Sequence, residues 1–153
     1  MGKLAINGGS PVRTAPWPRW PEVDESDIQA VSEVIRSGRW GRLGGTKAAE
    51  FEREFARYQG AQYGLTVSSG TAALEIALRG MKIEPGDEVI VPPYTFMATA
   101  TAVLQVGAIP IFVDIDPRTY NIDPALIEEA ITDRTRAIIP VHFGGLACDM
   151  DPI

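Results

Sequence analysis

The sequence of 153 residues has few of the residues that carry disulfide or metal chemistry, with one cysteine and one histidine. The lone Cys148 excludes an internal disulfide and a multi-cysteine zinc site, and it favours a reducing compartment. No apolar run approaches the roughly 18 residues that cross a bilayer. Residues 1–10 lack the charged-then-apolar pattern of a signal peptide. We therefore expect a cytoplasmic protein that does not bind membranes.

Basic residues are outnumbered, with 14 Lys and Arg against 20 Asp and Glu and a formal net charge of −6. Nucleic-acid-binding proteins concentrate Lys and Arg to neutralise phosphates, whereas the basic residues here are scattered among acidic ones. We therefore expect no nucleic-acid partner.

The one histidine, His142, is followed by Cys148, Asp149 and Asp151. Their spacing matches no common metal-ligand pattern. We expect no metal site here, and we expect His142 to line a polar crevice.

Residues 1–23 predict an extended arm. Four prolines between residues 11 and 21 lack N–H donors and restrict φ, which excludes a regular helix or a central strand. Trp17 and Trp20 are costly to expose to water. We expect the arm to lie across another surface, either of its own domain or of a partner subunit.

Two helices follow the arm. Asp24 can cap the first, whose apolar residues recur at helical spacing until Gly38. The second follows Gly44-Gly45 and ends near Gly60. One face of this helix is mostly aromatic, and we expect it to be buried in the core. It consists of Ala48, Phe51, Phe55 and Tyr58.

From residue 63 onwards, short apolar runs alternate with helical stretches, which predicts an α/β fold with a largely parallel sheet covered on both faces. The predicted strands are Tyr63 to Val67, Glu88 to Val91, Ile109 to Val113 and Arg136 to Val141. The predicted helices are Thr71 to Arg79, Thr95 to Val106 and one that Asp123 caps and Pro124 opens.

The turn Ser68-Ser69-Gly70-Thr71 joins a predicted strand to a predicted helix. Backbone N–H groups, hydroxyls and the positive end of a helix dipole converge there, which suits a phosphate. The turn has neither the lysine of a Walker loop nor the three glycines of a dinucleotide-binding loop. Plain helix capping by serine is the alternative interpretation.

A second set of residues, Pro92-Pro93-Tyr94-Thr95-Phe96, follows the next strand. Ligands of open parallel sheets bind outside the carboxyl ends of the strands, so Phe96 and the Ser68–Thr71 turn could share one crevice. A flat ring beside a phosphate cradle suggests a stacked planar cofactor. The alternative is that Tyr94 and Phe96 are core aromatics at a strand end.

Several motifs together resemble the DegT/DnrJ/StrS aminotransferases. They are Ser68–Leu74, Gly86–Pro92, Tyr94–Thr99, Val113–Asp116 and Pro140–His142, and the resemblance covers essentially the whole chain. These are pyridoxal-phosphate enzymes of fold type I that place amino groups on keto-sugars and related cyclic ketones.

The resemblance implies that this chain is the N-terminal part of the large domain of such an enzyme. It implies that Gly70, Thr71 and Ala72 hold the phosphate of pyridoxal 5′-phosphate and that Phe96 stacks on its ring. It also implies an amino-acid donor such as Glu or Gln. A homodimer is implied as well, with the arm and the Arg39–Gly45 stretch contributing to an active site at its interface.

The Schiff-base lysine of the family is not matched by any lysine here, because Lys3, Lys47 and Lys82 do not follow predicted strands. The resemblance places that lysine, and the Asp that pairs with the pyridine nitrogen, beyond Ile153. We therefore assign no catalytic residue and divide the chain into an arm, 1–23, and a partial cofactor-binding domain, 24–153, that looks truncated. We expect this piece to be inactive alone. A keto-sugar dehydratase of the same family and a cofactor-free scaffold are the alternatives.

Overall fold

The computed structural model describes residues 2–153, which form two compact units that meet at the Glu54–Phe55 bond. The first unit contains an arm with a short 3₁₀ turn (Ala5–Asn7), helix α1 (Glu25–Ser37) and the start of helix α2 (Lys47–Tyr58). The second unit contains α3 (Gly70–Gly80), β1 (Glu88–Val91), α4 (Ala98–Gln105), β2 (Ile109–Phe112), α5 (Ile127–Ala130) and β3 (Thr135–Ile138). Short 3₁₀ turns lie at Pro124–Leu126 and Phe143–Gly145.

Helix α1 begins and ends at the predicted caps. The Asp24 carboxylate accepts hydrogen bonds from the N–H groups of Ser26 at 2.8 Å and Asp27 at 3.3 Å. The Asp27 carboxylate accepts in return from the Asp24 N–H at 3.0 Å, which completes a capping box. Gly38 ends the helix with a φ of 65°, which glycine adopts without a Cβ clash.

The sheet is parallel and has the strand order β2-β1-β3. Ile90 of β1 lies opposite Ile111 of β2 and Ile138 of β3. The central strand is buried on both faces, since Val89, Ile90 and Val91 have no exposed surface. This confirms the predicted α/β fold with a parallel, doubly covered sheet.

Alternation along β1 divides the core into two layers. Val89 and Val91 pack with Leu78 of α3 and Val103 of α4 on one face. Ile90 packs on the other face, in a cluster with Val113, Ile122, Ile127 and Cys148. The carboxyl ends of all three strands therefore emerge at one edge of a well-packed sheet.

The predicted strand Tyr63 to Val67 is wrong. These residues pair with no strand among residues 2–153, and the side chains of Tyr63 and Leu65 are exposed. A β-strand needs a neighbour for its N–H and C=O groups, and apolar β-branched composition does not supply one.

The apolar faces of the first two helices also differ from expectation. The aromatic side chains of the predicted core face are exposed. Phe51 and Phe55 are about half exposed, and Tyr58 is 84% exposed. Ile28, Val31 and Ile35 of α1 are exposed as well. Helical periodicity indicates that a face suits an apolar partner, but it does not say what covers that face.

Apart from the 3₁₀ turn, the described residues before α1 form no helix or strand, and both tryptophans of this segment are exposed. Trp17 is exposed, with the Arg13 guanidinium 4.7 Å from its ring centroid, and Trp20 is 92% exposed. The expectation that the arm covers its own domain is therefore not met within its unit. None of the helices formed by residues 2–153 is long and apolar enough to cross a membrane.

Candidate functional site

Ser69 caps the amino end of α3. The Ser69 hydroxyl accepts from the Ala72 N–H at 3.2 Å, and the Ser69 carbonyl accepts from the Ala73 N–H at 3.0 Å. The helix itself uses neither the Gly70 N–H nor the Thr71 N–H, because the first turn has no preceding carbonyls to pair with. The capping interpretation is therefore right for Ser69, and it leaves two backbone donors for a ligand.

Space and charge at this turn both suit an anion. Ser68, Ser69 and Gly70 are exposed, and a Cβ atom added at Gly70 would meet no atom within 4 Å. The first turn of α3 carries no acidic residue, so nothing there offsets the positive end of the helix dipole. These residues fit the phosphate group of a cofactor.

Helices α3 and α4 pack against each other on one face of the sheet. They run in the same direction, because α3 leads into β1 and α4 leads into β2, and these two strands are parallel. The guanidinium of Arg79, in the last turn of α3, donates to the carbonyl oxygen of Gln105, the last residue of α4, at 3.3 Å. Because the carboxyl ends of the two helices meet, their amino ends lie at the same edge of the sheet. The Ser69–Ala72 turn and the start of α4 therefore share that edge.

Phe96 lies two residues before the start of α4. Its ring is 76% exposed, so the alternative that it is a core aromatic is wrong. The Phe96 carbonyl accepts from the Thr99 N–H at 3.1 Å, and the Thr95 and Thr99 hydroxyls lie 3.1 Å apart. These bonds hold the segment against the first turn of α4, which begins at Ala98 and not at the predicted Thr95.

The structure adds an aromatic cluster that the sequence reasoning missed. The ring centroid of Tyr94 lies 4.8 Å from that of Phe143 and 5.4 Å from that of Tyr120, and the last two rings are 5.9 Å apart. Each ring follows a different strand, so the three converge at the carboxyl edge. The available signal was the position of an aromatic residue after each of the three strands.

His142 orders the loop after β3. Its Nδ1 atom accepts from the Cys148 N–H at 2.9 Å, and the Cys148 thiol donates to the Val141 carbonyl at 3.2 Å. Burial raises the pKa of the Cys148 thiol. No group of three or more metal-ligating side chains occurs within residues 2–153.

Lys82 lies at the wrong end of α3 for chemistry at the carboxyl edge. It follows the carboxyl end of this 11-residue helix, about 16 Å along the axis from Gly70. In the first unit, Lys47 pairs with Glu50 at 3.4 Å and Lys3 belongs to the arm.

A sequence model of the DegT/DnrJ/EryC1/StrS aminotransferase family matches residues 21–153. The chain belongs to this family. The family resemblance drawn from the motifs is thereby confirmed.

Among curated relatives in the DegT/DnrJ/EryC1/StrS family, the chain is 44% identical over 142 residues to 3-amino-5-hydroxybenzoate synthase of Amycolatopsis mediterranei, covering 92% of this chain and 37% of that protein. It is 44% identical over 155 residues to L-glutamine:2-deoxy-scyllo-inosose aminotransferase of Streptoalloteichus tenebrarius, covering 98% of this chain and 37% of the relative. It is 49% identical over 133 residues to the spore coat polysaccharide biosynthesis protein SpsC of Bacillus subtilis, covering 87% of this chain and 34% of SpsC. The chain thus spans about a third of the length of these relatives.

Solved structures of family members have the same fold over this region. A crystal structure of 3-amino-5-hydroxybenzoic acid synthase aligns with a TM-score of 0.86 at 43% identity, covering 92% of this chain and 36% of that one. The PLP form of a sugar aminotransferase from Streptococcus pneumoniae, itself described as putative, aligns with a TM-score of 0.81 at 41% identity, covering 86% and 33%. The fold is thus that of the N-terminal part of a fold type I aminotransferase.

Proposed function

We propose that this chain binds pyridoxal 5′-phosphate and belongs to an enzyme that transfers an amino group from an amino acid, such as glutamine or glutamate, to a keto-sugar or related cyclic ketone. The observation that carries the proposal is the shared edge: the open amino end of α3 and the exposed Phe96 ring lie at the same ends of two parallel helices. The names of the relatives, which include a glutamine-dependent inosose aminotransferase, support this class of donor and acceptor.

In this proposal the backbone N–H groups of Gly70 and Thr71 bind the phosphate, and the positive end of the α3 dipole attracts it. Ala72 completes the site as the residue whose N–H is held by the Ser69 hydroxyl, which fixes the first turn of the helix. Gly70 lets the phosphate approach the backbone closely, because it presents no side chain there. The Phe96 ring covers one face of the cofactor ring and excludes water from it. When bound, pyridoxal phosphate supplies the electron sink for moving a proton on the carbon that carries the amino group.

We further propose that the 153-residue chain does not transaminate alone. The one lysine of the second unit, Lys82, is held at the opposite end of α3 from Gly70. Borohydride reduction of the chain mixed with cofactor is therefore expected to fix it stoichiometrically on none of the three lysines. Stoichiometric labelling of one lysine, located by mass spectrometry, would show that the reactive amine is present after all.

We also propose that the chain divides into an arm, 1–23, and a cofactor-binding part, 24–153. The enzyme is proposed to be a homodimer. The exposed Trp17, Trp20 and the apolar face of α1 supply surface that an association could bury. Light scattering coupled to size-exclusion chromatography measures the mass directly. A monomeric mass across the micromolar range would argue against the dimer.

The test of the cofactor site compares pyridoxal phosphate with pyridoxal, which lacks the phosphate, by absorbance titration. Wild-type protein is expected to bind the phosphorylated form at least about tenfold more tightly, which corresponds to about 1.4 kcal/mol. Gly70→Asp places a carboxylate in the first turn, where it favours the helix but repels a phosphate. It is expected to abolish the preference while the thermal unfolding midpoint is kept or raised. Equal affinity for the two compounds in wild-type protein would contradict the site.

A further inference from the structure

Asn121 is a buried side chain whose hydrogen-bonding groups all bind one loop. Its Oδ1 atom accepts from the Phe143 N–H at 2.9 Å, and its Nδ2 atom donates to the carbonyl oxygens of Leu146 at 3.1 Å and Ala147 at 3.2 Å. Asn121 is only 5% exposed, so these bonds replace those it would make to water. Asn121 thereby holds the loop after β3 against the turn that follows β2.

The residue before Asn121 is held in a strained conformation. Tyr120 has a φ of 61°, which is uncommon for a residue with a bulky side chain. The turn that imposes it is closed by the Tyr120 N–H donating to the Asp116 carbonyl at 2.8 Å and by the bridge between Ile115 and Ile122. Strained residues concentrate at functional sites, where the surrounding structure maintains them.

The turn at Tyr120 and the bond from Asn121 to the Phe143 N–H place the Tyr120 and Phe143 rings beside that of Tyr94, and the three rings form a cluster. The rings are tilted by 37° to 50° to one another. Tyr94 and Tyr120 are still half exposed, so the cluster presents ring surface to solvent and is part of neither core layer. It lies at the carboxyl edge of all three strands, only two residues along the chain from Phe96.

We propose that this aromatic cluster is the surface that binds the ring of the acceptor, and that Asn121 is the positioning residue that sets the cluster by fixing the Phe143 loop. The inference rests on the proposed function, which supplies the need for a cyclic ketone beside the cofactor. The C–H face of a six-membered ring is apolar and flat enough to stack on tyrosine and phenylalanine, whereas an open-chain ketone presents no such face. The cluster therefore selects for a ring.

The test measures the ratio of the affinities for cyclohexanone and for an open-chain hexanone, by saturation-transfer NMR on the protein with and without pyridoxal phosphate. Both ketones are measured on the same sample, so a loss of folded protein cancels in the ratio. Wild-type protein is expected to prefer the ring. Tyr94→Leu and Tyr120→Leu are expected to lower the preference about two- to tenfold each. Asn121→Leu is expected to do the same and also to speed hydrogen exchange at the Phe143 amide.

Two matched controls accompany these variants. Tyr58→Leu removes an exposed tyrosine that contributes no ring to the cluster. Asp123→Ala lies two residues from Asn121 and removes the carboxylate that accepts from the Ala125 N–H. Both are expected to keep the wild-type ratio.

Absence of a ring preference in wild-type protein that binds pyridoxal phosphate, an unchanged ratio in the cluster variants, or an equal loss in the controls would each overturn this inference alone. Failure of the wild-type protein to bind pyridoxal phosphate would overturn the proposed function and the acceptor role together.

Discussion

The Arg79 guanidinium donates to the main-chain carbonyl of Gln105 at 3.3 Å, which ties the carboxyl end of α3 to the carboxyl end of α4. The same guanidinium pairs with Glu75 one turn earlier in α3, at 2.9 Å. Because the carboxyl ends of these two parallel helices meet there, the Ser69 cap and Phe96, at their amino ends, lie at one edge of the sheet.

Arg79→Met is expected to lower the free energy of unfolding by about 0.5–1.5 kcal/mol, because it removes the bond to the Gln105 carbonyl while keeping the aliphatic stem. Urea unfolding monitored by circular dichroism measures the change. Arg36→Met, at the corresponding last turn of α1, is the control and is expected to have a smaller effect. Equal effects of the two substitutions would show that the tie contributes nothing specific.

Ser69→Ala is expected to destabilise the protein by about 1 kcal/mol, because the Ala72 N–H loses its cap. Ser68→Ala changes the neighbouring exposed serine and is expected to leave stability within about 0.5 kcal/mol of wild type. Chemical unfolding of both variants gives the comparison. A destabilisation by Ser68→Ala as large as that by Ser69→Ala would mean that the cap is not the source of the effect.

Phe96→Leu is expected to weaken binding of pyridoxal phosphate about two- to tenfold, because leucine cannot offer a flat ring for stacking. The exposed ring contributes little to the core, so the thermal midpoint is expected to stay near the wild-type value. Absorbance titration measures the affinity. Tyr58→Leu serves as the exposed aromatic control, and unaltered affinity in Phe96→Leu would remove Phe96 from the cofactor site.

Glu88 gives a prediction for acid stability. The Thr132 hydroxyl donates to its buried carboxylate at 2.6 Å and Arg134 also pairs with it, and together they lower the pKa of Glu88. The pKa is lower in the folded protein than in the unfolded chain, so the stabilisation is complete above the ordinary glutamate pKa and is lost as the pH falls through the folded value. Glu88→Gln is therefore expected to lower the thermal midpoint at pH 7, by an amount that shrinks in acid.

The comparison for Glu88 is Glu84→Gln, which neutralises an exposed carboxylate in the preceding turn. Its thermal midpoint is expected to follow wild type across the same pH range. A Glu88→Gln deficit that stays constant down to about pH 3 would show that ionisation of Glu88 is not the cause.

Cys148 is expected to resist thiol reagents in the folded protein. It is 5% exposed, and burial raises its pKa, so little thiolate is available at pH 8. Labelling with Ellman's reagent is expected to be at least about tenfold slower than for an exposed cysteine and to become fast in denaturant. Rapid labelling without denaturant would show that the loop after β3 opens readily.

Features set by near neighbours were predicted well from the sequence. The Asp24 cap, the Gly38 stop and the bounds of β1 and α3 agree with the structure to within a residue. Caps form between groups two to four residues apart, and a strand buried on both faces reads as a continuous apolar run. The failure at Tyr63 to Val67 has the complementary cause, because strand pairing depends on a neighbour that is remote in the chain.

The aromatic cluster shows that contacts between remote residues were also missed within the candidate site. Tyr120 and Asn121 lie in a stretch where no motif suggested a role, and Asn121 acts on a loop 22 to 26 residues away. Its bonds exist only because β2 and β3 flank β1 in the sheet. A side-chain amide alone does not reveal which loop it will bind.

The sequence by itself determined the order of helices and strands from Gly70 onwards, the caps and the serine-glycine turn with its free backbone donors, because these follow from apolar patterns and bonds between residues a few positions apart. Only the tertiary structure decided that Ser69 and Phe96 share an edge, that three rings meet beside them and that Lys82 lies at the far end of α3. These relationships depend on strand order and helix direction, which are set by packing the whole second unit around β1.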